Sequence, residues 1–342
     1  MNDLSLAAIG KRILWLLASM LVLLLLTFVV GRVLPGDPVT VLVGELADQA
    51  AYEAMRQRLG LDLPLYQQFA IYLGDLARGD LGRALLTGNA VSSDIATAFP
   101  ATVELAVLAI LISTLIGVPL GLFAGLMRDT VVDHFARVVS LFGHSIPIFW
   151  FGIVALIIFY ANLRWVGGPG RVDIYYEGII EPRTGMMLID SLLSGDMDVF
   201  RNALSHIILP ACILAYASMA YITRMTRSFT LEQIGQDYVI AGRAKGLRPA
   251  ALVVKHLLPN IAVQLITVLA VAFGNMLEGA VVLELVFSWP GLGQYMTNAL
   301  MMSDMNAVLG CTVVIGLSFM LLNFFADIAY LVIDPRTRES VA

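Results

Sequence analysis

The most chemically distinctive stretch of the sequence is DYVIAGRAKGLRPAALVVKHLLPN, residues 237–260. Its four basic side chains are those of Arg243, Lys245, Arg248 and Lys255. Guanidinium and ammonium groups clustered in this way can pair with carboxylates on another protein. Alanine and glycine residues lie between them, and such small residues allow another backbone to approach closely. The pattern is that of a docking surface; the alternative is an ordinary basic loop between two apolar segments.

Motifs for catalysis or nucleotide binding do not occur in the sequence. There is no G-x-x-x-x-G-K-[ST] loop to cradle phosphates, no H-E-x-x-H metal motif and no serine nucleophile elbow. The two cysteines, Cys212 and Cys311, lack the spacing of metal ligands or of a redox pair. We therefore predict that the chain is not an enzyme and holds no cofactor or metal of its own.

Apolar runs long enough to cross a membrane dominate the chain. It is 59% hydrophobic and 14% charged, its mean hydropathy is +0.84, and about 20 apolar residues span the hydrocarbon core as a helix. These features predict an all-α, polytopic membrane protein. The six predicted spans are Ile13–Val30, Ala101–Leu122, Val138–Tyr160, Ala203–Ile222, Ile261–Leu283 and Ala307–Ile333.

The distribution of Lys and Arg orients these spans. With the N-terminus inside, more than half of the 21 basic residues fall on the inner segments, which are the shorter ones. They are Lys11, Arg12, Arg128, Arg137, Arg224, Arg227, Arg243, Lys245, Arg248, Lys255, Arg336 and Arg338. Because basic residues accumulate on the cytoplasmic side, both termini and the segment 224–260 are predicted to be cytoplasmic.

The spans divide the chain into three predicted parts. Residues 1–30 form an N-terminal transmembrane helix, read as an uncleaved anchor because no small-residue cleavage site follows it. Residues 31–100 form an extracytoplasmic segment with amphipathic helices, one of them in LPLYQQFAIYLGDLARG. Residues 101–342 form a core domain with the other five spans.

Within the cytoplasmic segment, SFTLEQIGQDYVIAGRAKGL reads as one amphipathic helix. Its predicted apolar face consists of Leu231, Ile234, Tyr238, Ala241 and Ala244. Gly246 is expected to end the helix in the left-handed conformation. A second helix begins near Pro249, which suits a first turn, and Leu258 and Pro259 lead into the next span.

This loop resembles the coupling motif of ABC importer permeases, E-A-A-x3-G-x9-I-x-L-P. The glycine falls on Gly246 and the Leu-Pro pair on Leu258 and Pro259, whereas the Glu, the second Ala and the Ile are replaced. Permeases for dipeptides, oligopeptides and nickel vary the first letters and keep the form Y-[VI]-x3-R-A-K-G-L, which occurs here at 238–247. The segments LPGDP, SIPIFW, FSWPGLG and DPR are also similar to that group.

The resemblance implies a type I permease fold with six spans in a bacterial inner membrane. It implies a second related permease, two ATP-binding subunits that hold ATP and Mg, an extracytoplasmic substrate-binding protein and no nucleic acid. The residues that would couple to the ATPase are Tyr238, Ala241, Arg243, Ala244, Lys245, Gly246 and Leu247. Dipeptides or oligopeptides are the expected cargo; nickel, glutathione and other small solutes are alternatives.

Polar residues inside the predicted spans are candidates for a transport pathway. A charge at the centre of a spanning helix costs at least ~2.5–3.5 kcal/mol, so Glu278 either has a structural partner or meets a cationic part of the cargo. Asn275, His144 and Asn323 are further candidates, each with a helix–helix hydrogen bond as its alternative role. Glu104 is expected to have a local structural role, reaching water or a helix N-terminus.

A transporter driven by an ion gradient is the competing class. It would require carboxylates at the membrane midplane or unwound helices in two corresponding repeats, and no convincing repeat is visible. Dependence of uptake on ATP distinguishes the two classes. A last pattern is Gly117, Gly121 and Gly125, which predicts close packing along one face of the second span.

Overall fold

The computed structural model describes residues 6–33, 38–44 and 48–333. In these ranges the backbone is mainly helical, with one isolated antiparallel bridge between Arg83 and Ala90. The α-helices are α1 (Leu6–Val33), α2 (Pro38–Val43), α3 (Gln49–Arg58), α4 (Leu65–Ala77), α5 (Val91–Leu126), α6 (Val131–Ser145), α7 (Ile148–Ala155), α8 (Met187–Ser194), α9 (Met197–Ile234), α10 (Asp237–Ala244), α11 (Pro249–Leu252), α12 (Leu258–Val286), α13 (Leu292–Met301) and α14 (Met305–Ile333). The all-α prediction is confirmed.

Three short helical segments complete this description. A π-helical segment, Leu156–Asn162, continues α7, and another, Val253–Leu257, joins α11 to α12. A 3₁₀ turn lies at Ile174–Tyr176. Because the first π-helical segment prolongs α7, the apolar helix that begins at Ile148 reaches Asn162.

Four described helices are long and apolar enough to cross a membrane: Val91–Leu126, Met197–Ile234, Pro249–Val286 and Met305–Ala326. Val131–Gly143 and Ile148–Asn162 satisfy the same test only when taken together as one bent span. Ile13–Val29 is apolar but shorter. By length and composition, the described residues therefore contain four or five spans.

The predicted third span, Val138–Tyr160, is wrong as a single helix. The chain leaves α6 at Ile146, which is extended with φ −96° and ψ 126°, and α7 starts after Pro147. Proline has no N–H to donate and disfavours a helical conformation in the residue before it. The helix therefore breaks there, whereas α9 continues through Pro210.

Contacts between Cα atoms divide the chain into two compact units, of which the first comprises 1–99 and 292–320. Its apolar core includes Val91, Leu292, Ala299, Ala307 and Cys311, all buried. The amphipathic pattern predicted in the extracytoplasmic segment forms α4, which packs aromatic side chains against α1. These contacts show that part of the apolar face of α4 packs against α1.

The second unit comprises 100–291 and the described residues from 321 to 333. In it the glycine face of α5 lies directly against α9. A Cβ on Gly117 would fall 3.3 Å from Met219 and Ile222, and a Cβ on Gly125 would fall 2.6 Å from Thr230. The glycines are thus used for close packing within the chain, as the sequence predicted, and they fix α5 to α9.

Candidate functional site

The basic segment is a helical hairpin, as predicted, but the amphipathic helix predicted over residues 228–247 is wrong as a single helix. The helix of the fourth predicted span continues as α9 to Ile234, and α10 begins at Asp237 after a break at Gly235. After the bend, the helix that begins at Pro249 continues without a break to Val286. Both arms of the hairpin are therefore connected to long apolar helices, α9 directly before it and α12 after it.

A buried apolar cluster holds this hairpin in place. Val239 of α10, Leu252 of α11 and Leu257 pack with Ile261 of α12 and Leu122 of α5, and each is at most 9% exposed. Gly242 lies at the closest point, where a Cβ would fall 2.6 Å from a methyl group of Leu252. Burial of this kind contributes about 1.5–3 kcal/mol for each large side chain, so the hairpin is anchored firmly to the helix ends.

The bend itself has the hydrogen bonds of a Schellman C-cap. Gly246 has φ +77°, its N–H donates to the carbonyl of Arg243 at 2.9 Å, and the N–H of Leu247 donates to the carbonyl of Gly242 at 3.1 Å. Glycine adopts this left-handed conformation without the penalty that a Cβ incurs. The predicted role of Gly246 as the helix stop is confirmed.

The outer surface of the hairpin is formed by small and basic residues. The residues exposed there are Ala241, Arg243, Ala244, Lys245, Gly246 and Leu247. The prediction that Ala241 and Ala244 belong to the apolar inner face is wrong, because the break at Gly235 changes the phase of the helix and turns Val239 and Gly242 inward. An exposed bend with little side-chain bulk and two nearby cations can enter a cleft with acidic walls.

Tyr238 differs from the other predicted coupling residues because it is half-buried. Its hydroxyl donates to Gln233 Oε1 at 2.7 Å and so links α10 to the end of α9 across the break. Burial raises the pKa of this phenol above its usual value, and a hydrogen bond involving Asn260 opposes that shift. The neutral phenol therefore stays in place as a structural link at physiological pH.

A buried ion pair fixes α6 to α9 a short distance before the hairpin. The Asp133 side chain is fully buried, and it accepts two hydrogen bonds from Arg227, at 2.6 and 2.9 Å, in a bidentate arrangement. Arg137 donates to the same carboxylate at 3.1 Å, and the backbone N–H of Asp129 donates at 3.0 Å. From the sequence, Arg137 and Arg227 are predicted only as basic residues of the cytoplasmic segments.

The predicted pathway residues do not form one cluster that the structure describes. Asn275 and Glu278, three residues apart, are both exposed on α12 and lie on neighbouring positions of one helix face. Asn323 is half-buried on α14. His144 belongs to α6, but its side chain lies outside the described residues.

A buried carboxylate near the C-terminal end of α12 is not among the residues predicted from the sequence. Glu284 is completely buried and accepts a hydrogen bond from the Thr102 hydroxyl at 2.6 Å. Gly291, within FSWPGLG, packs so closely on this carboxylate that a Cβ would collide with it. The predicted fifth span ends at Leu283 and therefore excludes Glu284. The position of this acidic residue, between an apolar run and FSWPGLG, is a signal in the sequence from which a buried carboxylate could have been predicted.

The expected structural role of Glu104 is confirmed. Its carboxylate accepts a 2.6 Å hydrogen bond from Arg171 and a 2.7 Å bond from the backbone N–H of Leu188, in the first turn of α8. Asp190, also in the first turn of α8, accepts hydrogen bonds from Arg183, Thr184 and Gly185 in the loop that precedes this helix. These two carboxylates organise the loop around a helix N-terminus, where negative charge is favoured.

Several long apolar helices, two of them joined by an anchored and exposed basic hairpin, are the features of a multi-pass membrane protein. A family model described as "Binding-protein-dependent transport system inner membrane component" matches residues 117–339, and the model for the N-terminal region of such components matches residues 6–106. The chain belongs to this family of ABC importer permeases. It is accordingly an inner-membrane transport component and not an enzyme.

Individual relatives are similar over nearly the whole chain. The di/tripeptide transport system permease protein DppB of Pseudomonas aeruginosa is 42% identical over 335 residues, which cover 98% of this chain and 99% of the relative. The probable D,D-dipeptide transport system permease protein DdpB of Escherichia coli is 42% identical over 311 residues, 91% of each chain. The dipeptide transport system permease protein DppB of E. coli is 37% identical over 317 residues, 92% of this chain and 94% of the relative.

Proposed function

We propose that this chain forms half of the translocation pathway of an ATP-driven importer for dipeptides or other short peptides. The names of the three relatives, at 37–42% identity, support a peptide as the cargo. The proposal has six spans, namely α1, α5, the pair α6 and α7, α9, the helix from Pro249 to Val286, and α14. Both termini and the hairpin face the cytoplasm, in accordance with the distribution of Lys and Arg.

The hairpin is the observation that carries the mechanism. Its bend is exposed while its core is anchored to α9 and α12, so a partner that moves the bend also moves two spanning helices. Since α9 has 38 residues, it extends roughly 57 Å and can transmit that displacement across the membrane. Closure of the ATPase subunits would open the pathway outward, and ATP hydrolysis would reset it.

The proposed partners are those expected of a binding-protein-dependent transport system, and the family to which the chain belongs supports them. Two ATP-binding subunits supply ATP and Mg, and acidic groups in a cleft of one of them pair with Arg243 and Lys245 beside Gly246. A second related permease completes the pathway, and an extracytoplasmic binding protein delivers the cargo. Glu278 and Asn275, both exposed on α12, are the pathway residues that we propose for contact with a cationic group of the peptide.

Affinity purification of the chain from its native membrane, followed by mass spectrometry, tests this assembly. We expect two ATPase subunits and a second permease to remain bound. The recovered complex, reconstituted in liposomes with its binding protein, should import radiolabelled dipeptide only when ATP is supplied. Uptake that follows an ion gradient without ATP would instead establish the competing class of transporter, and ATP-driven uptake of nickel chelates but not of peptides would correct the cargo.

A further inference from the structure

A cavity of about 360 Å³ lies between α6 and α9 and has no role in the mechanism above. Arg137, Ser140 and Leu141 line it from α6, and Arg224 and Arg227 line it from α9. Its volume is in the range of small-ligand sites, which run from about 300 to 1,000 Å³. Three guanidinium groups around one cavity make it a site for an anion.

The positive charge of this cavity is only partly neutralised. The buried Asp133 carboxylate compensates for Arg227, and Arg137 pairs both with Asp133, at 3.1 Å, and with the exposed Asp129, at 3.7 Å. Arg224 is exposed, and among the described residues no carboxylate pairs with it; its guanidinium lies over the ring of Tyr221, 5.9 Å from the ring centroid. The cavity thus has two cations that pair with carboxylates, Arg227 and Arg137, and a third, Arg224, that is available to a ligand.

An apolar stripe on α6 runs alongside the cavity. Val131, Phe135, Val138 and Phe142 are 51–85% exposed and recur at helical spacing on one side of the helix. Leu141 is 68% exposed and also lines the cavity, so the stripe and the cationic site are continuous. A ligand that fits both features has an anionic head and a long apolar tail.

We propose that this cavity binds the phosphate-bearing headgroup of an anionic phospholipid, with an acyl chain along the stripe from Val131 to Phe142. Arg224 donates hydrogen bonds to the phosphate oxygens, as guanidinium groups do in bidentate phosphate recognition. The Ser140 hydroxyl is a further donor at the cavity wall. The site is in the cytoplasmic leaflet if the orientation under the proposed function is correct, but binding itself does not depend on that orientation.

Native mass spectrometry of the delipidated full chain, alone and within its importer complex, tests the site. We expect phosphatidylglycerol to bind at lower concentration than phosphatidylethanolamine. Arg224→Gln should weaken binding of phosphatidylglycerol about fivefold, the effect of one basic residue at an anionic lipid surface. Arg224→Lys should retain most of the binding because it keeps the charge.

Arg128→Gln is the matched control, because Arg128 is exposed, lies just before α6 and does not line the cavity. Equal binding of the two lipids, or equal loss in Arg128→Gln and Arg224→Gln, would overturn the proposal. A dipeptide that displaces phosphatidylglycerol only when its carboxylate is free, and only in the chain with Arg224 intact, would identify a cargo site instead. Lipid binding by the isolated chain would stand even if the importer complex were not recovered.

Discussion

Replacing Gly246 by valine tests whether the bend between α10 and α11 transmits force between subunits. Gly246 has φ +77°, and a Cβ at this position would meet no atom within 4 Å. The cost of the substitution is therefore conformational: about 1–2 kcal/mol for an L residue held in the left-handed region, and more for a β-branched one. If the bend opens instead, it loses the hydrogen bonds from Gly246 and Leu247, at about 1 kcal/mol each.

Either response costs about 2 kcal/mol and is confined to an exposed turn. The buried cluster around Val239 and Leu252 is untouched, so membrane insertion and the thermal stability of the remaining fold should be close to normal. Uptake should be impaired, because the substitution reshapes the surface that we propose enters the ATPase cleft. A cost of about 2 kcal/mol in docking corresponds to about thirtyfold in affinity, and we expect ATP-driven uptake in membrane vesicles to fall by about that factor.

Gly246→Asn is the matched control, since asparagine tolerates the left-handed conformation far better than valine. It adds a side chain of similar size while preserving the bend, so uptake and co-purification of the ATPase should remain near those of the unmodified protein. Unimpaired uptake by Gly246→Val would refute the coupling role of the bend. Equal losses in both variants would show that side-chain bulk, rather than backbone conformation, is what matters.

Three further predictions concern carboxylates. Arg227→Ala should destabilise the protein by about 3 kcal/mol in thermal unfolding, because it removes the bidentate partner of the buried Asp133. Arg137→Ala should destabilise it by less than about 1 kcal/mol, because Arg137 is half-exposed. Similar losses of stability in the two variants would contradict this order. Burial raises the pKa of Asp190, but the hydrogen bonds to its carboxylate outweigh that effect and leave the pKa below its usual value. The stabilisation that Asp190 gives to the loop before α8 is then complete above about pH 4 and is lost as the pH falls through the lowered pKa. Hydrogen exchange of this loop, corrected for intrinsic rates, should show the loss. Asp190→Asn should abolish the pH dependence. Glu278→Gln should reduce uptake of peptides with a free amino group more than uptake of acetylated ones, and an unchanged preference would remove Glu278 from the pathway.

Local patterns were enough to predict the helical class and the bend. The apolar runs identified the long helices, and Gly246 followed by Pro249 identified a stop and a restart because each residue restricts its own backbone. Helix ends were less accurate, since α9 continues to Ile234 and α12 incorporates Glu284. Polar residues remain helical there because neighbouring helices bury or pair them, which a hydropathy average does not register.

The hydrogen bonds and ion pairs that hold the helices together join residues that are distant in sequence. Asp133 and Arg227 are 94 positions apart, and Thr102 and Glu284 are 182 apart. Nothing local distinguishes Arg227, which is largely buried and paired, from Arg224, which is exposed and lacks a carboxylate partner among the described residues. Only packing of α6 against α9 separates a structural cation from one that is available to a ligand.

By itself, the sequence determined that this is a helical membrane protein with a basic helix–glycine–helix hairpin, because hydropathy, glycine and proline act within a few residues. The tertiary structure decided which face of that hairpin is exposed. The break at Gly235 sets the phase of α10, so that Val239 and Gly242 pack inward and Ala241 and Ala244 remain at the surface. Exposure and pairing of side chains arise from contacts between distant segments, and those contacts exist only once the helices have packed.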